Sequence, residues 1–270
     1  MDTIKEVWSS NLEEEMRKIC DIVEKFPYIG MDTEFPGVTV QPMARFANRI
    51  DYQYGKIRCN VNELKIIQIG LTFTDENGNL PDGISTWQFN FQFDLKKDQY
   101  AQDGINLLQH SGIDFEKFKK DGINVSDFAE LLTTSGVVLS DSVTWISYHS
   151  CYDFVYFYKL LSNLELPKKV DDFLDNLLYY FPVIYDIKFI AKAKISYHGG
   201  LQDLADLLNV KRTGPQHQAG SDSLLTSQTF FKFKEQYFQG SSIEIYKNKI
   251  YDFVPPPKPE GYNNSNHSYL

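Results

Sequence analysis

Residues 28–37, YIGMDTEFPG, are the stretch from which the fold and the chemistry of this chain can be read. The run up to Met31 is apolar and β-prone, so Asp32 and Glu34 stand at the end of a strand. Side chains alternate along a strand, and residues i and i+2 project to the same face. Both carboxylates therefore enter one small volume. Two anions 4 Å apart repel by about 4 kcal/mol at an effective dielectric near 20. A divalent cation relieves that repulsion, and hard oxygen ligands favour magnesium or manganese. An Asp-x-Glu triplet alone is most often a pair of solvated charges, so its meaning depends on the rest of the chain.

Upstream, residues 11–26 (NLEEEMRKICDIVEKF) place Leu12, Met16, Ile19, Val23 and Phe26 at helical spacing. Asn11 with Glu14 resembles a capping box, and Pro27 closes the helix. Downstream, Pro36 and Pro42 predict a loop, followed by a helix around 44–54. Residues 64–93 read as two strands joined by a turn on Asn77-Gly78, a hairpin beside the first strand. Residues 95–142 are mixed and mostly helical, broken by Gly104, Gly112, Gly122 and Gly136. A strand, VTWIS (143–147), runs into a helix over 149–161, and FLDNLLYYF (173–181) predicts another helix. PVIYDIKF (182–189) reads as a strand, LQDLADLLN (201–209) as a short helix, and 220–238 as the last long one. A hairpin first, then strands alternating with helices, predicts an α/β domain with a mixed sheet flanked by helices. One domain is expected over residues 1–250, with a Pro- and Asn-rich tail over 251–270 expected to be disordered.

The net charge is −9, from 27 Lys+Arg against 36 Asp+Glu, which argues against a protein that holds nucleic acid on a broad basic surface. A narrow cleft in which metal ions supply the positive charge remains compatible with it. At 42% hydrophobic and 15% aromatic residues, the chain can bury a sizeable core. Cys20, Cys59 and Cys151 are scattered, without CxxC spacing, and read as reduced thiols. No apolar run reaches the ~18 residues of a membrane span, and no signal-peptide pattern opens the chain. A soluble protein of cytoplasm and nucleus, without a membrane partner, is the expectation.

Three further residues complete the pattern. Asp153 stands at the junction of a strand with the helix that follows it, in SYHSCYDF. Asp222 lies near the start of the final helix, in GPQHQAGSDSLLT, with His217 five residues before it. On one continuous helix that spacing puts them roughly 140° apart, so for both to face one site His217 must stand in the loop before the helix. Gly214, Pro215 and Gly220 suit such a loop. On local sequence alone, Asp222 reads evenly as a helix cap or a ligand, Asp153 more readily as a cap, and His217 as an exposed loop residue. A thiol-nucleophile reading of Cys151 with His149 is weak, because their spacing does not set the geometry. There is no G-x-S-x-G elbow, Walker A loop or G-x-G-x-x-G.

In order, strand Asp-x-Glu, a distant Asp after a strand, and His-x4-Asp near a late helix resemble the DEDDh exonucleases. Runs such as MDTEFPG, LKIIQIGLTF, YAQDGINLL, FPVIYDIK and above all GPQHQAGSDSLLT resemble the deadenylase subunits of the CCR–NOT complex. The resemblance spans roughly residues 5–238. It implies a ribonuclease-H-like DEDD exonuclease fold and 3′→5′ removal of messenger poly(A) tails with release of 5′-AMP. It further implies two divalent cations, Mg2+ or Mn2+, held by Asp32, Glu34, Asp153 and Asp222, with His217 as general base. Implied partners are the 3′ end of poly(A) RNA, the NOT scaffold protein, a second deadenylase bearing leucine-rich repeats, and adaptors of the Tob type. A non-catalytic bridging subunit and a DEDDh exonuclease of other substrate range are the alternatives. The chain departs from the family pattern twice: Cys151 stands where glycine is usual, and YKNKIYDFVPP (246–256) replaces a YGLG-like turn.

Overall fold

The computed structural model describes residues 3–255. Six strands form one mixed sheet, in the order β1 (Ile4–Val7), β4 (Thr86–Asn90), β3 (Gln68–Thr74), β2 (Tyr28–Glu34), β5 (Thr144–Ser147) and β6 (Ile184–Asp186). The hairpin β3–β4 is antiparallel and β3 is antiparallel to β2, whereas β2, β5 and β6 run parallel, as do β1 and β4. Asp75 organises the hairpin turn by accepting the amides of Asn77 and Asn79, and Gly78 there adopts a φ of +84°. Every residue of β3 is buried, as expected of a central strand covered on both faces.

Alternation along β2 sorts the sheet into two faces. Ile29 and Met31 enter the larger core, packed against helices α1 (Leu12–Val23), α2 (Arg49–Glu63), α5 (Val125–Thr133), α6 (Cys151–Ser162) and α7 (Val170–Tyr180). Gly30 and Asp32 face the other side, where the long helix α10 (Ala219–Tyr237) crosses the sheet. A second cluster there joins Phe230 and Phe233 of α10 to α8 (Ile187–Ile195) and α9 (Leu201–Leu207). The remaining helices, α3 (Gln102–His110) and α4 (Phe115–Asp121), close a smaller cluster around Phe93 at one end.

Several elements differ from the sequence reading. β1 was not anticipated: IKEV is short, carries two charges, and is recruited only by pairing with β4 at the sheet edge. Helix α1 ends at Val23, before Pro27, and its capping box does not form, because the Asn11 side chain accepts the Trp8 amide and Glu14 pairs with Lys18. Helix α2 begins at Arg49, where Asn48 accepts the Asp51 amide, and runs on to Glu63. Only Ile184–Asp186 of PVIYDIKF is strand, because the Asp186 carboxylate accepts the Lys188 amide and starts α8 at Ile187. Within the stretch read as tail, residues 251–255 belong to the folded body: Phe253 is buried against Tyr54 and Phe173. The rest of that stretch, 256–270, lies outside the described residues.

Candidate active site

Strand β2 pairs with β5 only as far as Gly30 against Ile146, and then runs on to Glu34. Beyond that point its amides on the β5 side have no strand partner, and a buried amide needs one. Asp153, in the first turn of α6, supplies it: Oδ1 accepts the Thr33 amide at 3.0 Å and the Thr33 hydroxyl at 2.6 Å. The residue between the two strand acids thus fixes the third.

The fourth acid is brought in by helix α10. Gly70 is the cross-strand partner of Asp32, and Gly30 precedes it by two residues. A Cβ at Gly70 would lie 1.9 Å from the Ala219 carbonyl oxygen, and one at Gly30 would lie 2.7 Å from that of Ser223. Two missing side chains therefore let α10 rest directly on the strands. The orphan amides at its start are taken by side chains of the sheet: Gln68 Oε1 accepts Ala219 N–H at 3.2 Å, and Gln88 Oε1 accepts Gly220 N–H at 2.9 Å. Asp222, one turn in, is thereby set over Asp32 and Glu34.

His217 stands in the loop before α10, as the spacing required, with a left-handed backbone (φ +61°). Its amide donates to Asp222 Oδ2 at 2.9 Å, and its carbonyl accepts the Ser111 hydroxyl at 2.9 Å. Gln218 Nε2 donates in turn to the Ser111 carbonyl at 3.1 Å, so the end of α3 holds this loop from both sides. One ligand atom each of Glu34, His217 and Asp222 lie within 4.8 Å of one another. Arg212 meets Asp222 Oδ1 at 2.7 Å and is itself aimed by Gln202, which accepts from its Nε at 2.6 Å.

Electrostatics mark the centre. Burial, followed by the charges of Asp222, Asp153 and Glu34, pushes the Asp32 carboxyl well above the usual carboxylate range, with Arg212 opposing. Burial and the charges of Asp222 and Asp153 do the same to Glu34. Asp153 is raised by burial to about 6 despite its bonds from Thr33. Such a crowd of carboxylates must either hold protons or share cations. With a donor set of carboxylate oxygens beside one imidazole, Asp32, Glu34, Asp153 and Asp222 fit hard divalent ions.

All five residues singled out from the sequence converge. Reading the sequence missed their supports: Thr33, Gln68, Gln88, Ser111, Arg212 and Asp186. Asp186 is fully buried and accepts the amides of His149, Ser150, Lys188 and Tyr251, which anchors the β5–α6 junction that delivers Asp153. A lone Asp in an apolar run, as in IYDIKF, is the only sequence signal that pointed to one of them.

The profile of the CAF1 family ribonucleases matches residues 7–133 and 128–230. The poly(A) ribonuclease pop2 of Schizosaccharomyces pombe is 48% identical over 262 residues, which cover 97% of this chain and 78% of the relative. A probable CCR4-associated factor 1 homologue of Arabidopsis thaliana is 50% identical, covering 92% of each chain. The solved structure of S. pombe Pop2p with Mg2+ and Mn2+ bound superposes with a TM-score of 0.91 at 49% identity, over 93% of this chain and 100% of that one. The yeast structure in which the NOT1 MIF4G domain was co-crystallised with CAF1 matches with a TM-score of 0.79 at 35% identity, covering 92% and 96%. An exonuclease I from Methylocaldum szegediense shares the fold alone, at 12% identity and a TM-score of 0.53, over 78% of this chain and 41% of that one. The mixed sheet, with its carboxylates at the end of β2, is thus a ribonuclease-H-like DEDD exonuclease fold. By profile, by identity along nearly its whole length and by fold, the chain belongs to the CAF1 family of ribonucleases.

Proposed function

We propose that this chain is a divalent-metal-dependent 3′→5′ exoribonuclease that shortens poly(A) tails and releases 5′-AMP. The observation that carries the reading is the convergence of Asp32, Glu34, Asp153 and Asp222 with His217 at one end of the sheet. The names of its relatives agree: pop2 is a poly(A) ribonuclease, and Pop2p was solved with Mg2+ and Mn2+.

Asp32, Glu34, Asp153 and Asp222 would hold the ions, which when bound lower the barrier by neutralising charge on the scissile phosphate and the attacking water. The chain's own part is positional and acid–base. A water attacks the phosphorus of the last phosphodiester, and its proton passes to the His217 imidazole. The bond to the 3′ oxygen of the preceding nucleotide breaks, and that oxygen leaves with a proton from solvent. His217 is steered to this position by its own amide, which is held on Asp222, and by the Ser111 clamp. Arg212 holds Asp222 in orientation through its contact with Oδ1.

Within the same proposal the protein acts as the catalytic subunit of a CCR–NOT assembly in cytoplasm and nucleus. The co-crystallised NOT1 domain and CAF1 support the scaffold contact. A leucine-rich-repeat deadenylase and Tob-type adaptors are the further partners proposed.

The test is a 5′-labelled RNA ending in a run of adenosines, incubated with Mg2+ or Mn2+ beside Asp32→Ala and His217→Ala. Stepwise loss of the A-tract is expected, absent in Asp32→Ala. His217→Ala should lower kcat by about 10²–10⁴-fold, the usual contribution of a positioned base, while leaving metal affinity largely intact. Wild-type turnover in that variant would remove the base role. Inactivity of folded wild type with both metals would leave a bridging subunit.

A further inference from the structure

Two segments far apart in sequence, the start of α6 and the turn around Asp252, meet in space. Cys151 opens helix α6, and Asp252 lies in a turn over residues 251–253. Together with His149 they bring an imidazole nitrogen, a thiol sulfur and a carboxylate oxygen within 4.8 Å of one another. His149 Nε2 is 3.1 Å from Asp252 Oδ2. The Cys151 side chain is buried, at 4% exposure. All three line an open cleft of about 250 Å³, together with Phe35, Gln53, Lys56, Tyr152 and Asp153.

Both loops are held by one group. The buried Asp186 carboxylate accepts the His149 amide at 2.9 Å and the amide of Tyr251, the neighbour of Asp252, at 3.0 Å. His149 and Asp252 are also both kept in the left-handed region, at φ +56° and +70°, a conformation that non-glycine residues hold only when their surroundings over-determine it. The three donors are thus fixed relative to one another by the fold itself.

Imidazole, thiolate and carboxylate form the mixed N, S, O set of a zinc-class ion, and three protein ligands leave a fourth position open to water. Magnesium, which demands oxygen ligands, has no reason to enter. We propose that His149, Cys151 and Asp252 form a second metal site, selective for zinc-class divalent ions, next to the catalytic carboxylates and distinct from them in ligand chemistry. On binding, the Cys151 thiol proton passes to solvent, a ring nitrogen of neutral His149 offers its lone pair while the ring's N–H stays on the other nitrogen, and three metal–ligand bonds form. Asp252 Oδ1 keeps its contact with Arg49 at 3.4 Å.

Sulfur makes the site separable from the active centre. The full chain, stripped with chelator and kept reduced, is titrated with Co2+ and followed by absorption. A thiolate-to-cobalt charge-transfer band is expected, erased by Zn2+ and untouched by millimolar Mg2+. The carboxylate centre contains no sulfur, so Asp32→Asn should keep the band whether or not the proposed ribonuclease reading holds. Cys151→Ser should abolish it, while the paired Cys20→Ser and Cys59→Ser substitution keeps it. Asp252→Asn should weaken cobalt binding by at least ~10-fold, the cost usual for losing even an outer-shell partner of a metal. No band in the wild type, or a band that survives Cys151→Ser, would overturn the proposal.

Discussion

At the residue scale, the site is a set of charges held against their own repulsion, and that has a consequence for stability. The unfolded Asp153 titrates near its ordinary 3.8, whereas in the fold it is raised to about 6. Between these values the folded state binds more protons than the unfolded one, so unfolding free energy falls as pH rises. Asp32 and Glu34, also raised, act with the same sign. Metal-free protein should therefore be destabilised by this centre at pH 7 and recover as pH drops through 6 toward 4. Asp32→Asn removes one of the repelling charges. Its melting temperature in chelator should exceed that of wild type at pH 7, by roughly 2–4 °C for each kcal/mol recovered in a domain of this size. The gap should close near pH 4. Comparing the two proteins cancels carboxylates of opposite sign elsewhere, such as Asp252, held low by its bond to His149. A lower melting temperature for the variant at pH 7 would refute the account. Thr33 gives a second test at this scale. Replacing its hydroxyl in Thr33→Val leaves a buried Asp153 oxygen short of a partner 2.6 Å away, at a cost of about 1–3 kcal/mol. With Asp153 no longer aimed, kcat should fall with little change in KM for RNA, and Thr33→Ser should restore it. Equal loss in both variants would show that the hydroxyl is not what matters.

At the element scale, what decides the site is how closely α10 lies on β2 and β3. Gly70→Ala would put a Cβ 1.9 Å from the Ala219 carbonyl, and since that neighbour is helix backbone, α10 itself must shift. Overpacking of this kind costs about 1–3 kcal/mol, occasionally more. Asp222 sits on the displaced turn, so turnover per folded molecule should fall as well. Gly122→Ala makes a comparable clash, 2.3 Å from the Phe118 carbonyl at the end of α4, and should cost stability while sparing turnover per folded molecule. If both variants kept wild-type turnover, the close seating of α10 would not be what places Asp222. This dependence also explains what could be read in advance. The strand carrying Asp32 and Glu34, the hairpin, and the helices bearing Asp153 and Asp222 were legible because period and turn residues are local. His217 in a loop followed from spacing alone. The supports were not legible, since Gln68 and Gln88 cap a helix some 130 or more residues away in sequence, and no local pattern encodes that pairing. The same holds for β1, which is a strand only because β4 is beside it, and for Asp186, whose four amide partners come from three separate segments.

At the scale of the whole molecule, acidity and activity on a polyanion have to be reconciled. The chain carries 27 basic against 36 acidic side chains, a net charge of −9, and its clearest basic group at the centre, Arg212, is already committed to Asp222. RNA cannot then be held by a broad field of lysines, and few counterions are released when it binds. For single strands the slope of log K against log salt is about −0.7 per phosphate neutralised. A protein that engages two or three phosphates near its catalytic cleft, which Lys56 and Asp153 both line, should show a slope no steeper than about −2. The measurement is binding of an oligo(A) strand to Asp32→Asn across a range of potassium chloride at fixed Mg2+. A slope of −4 or beyond would reveal an extended basic track along the surface and break the argument. A shallow slope would mean that the fold supplies a catalytic centre with little grip of its own, and that tethering by a partner, rather than intrinsic RNA affinity, sets which messages are shortened.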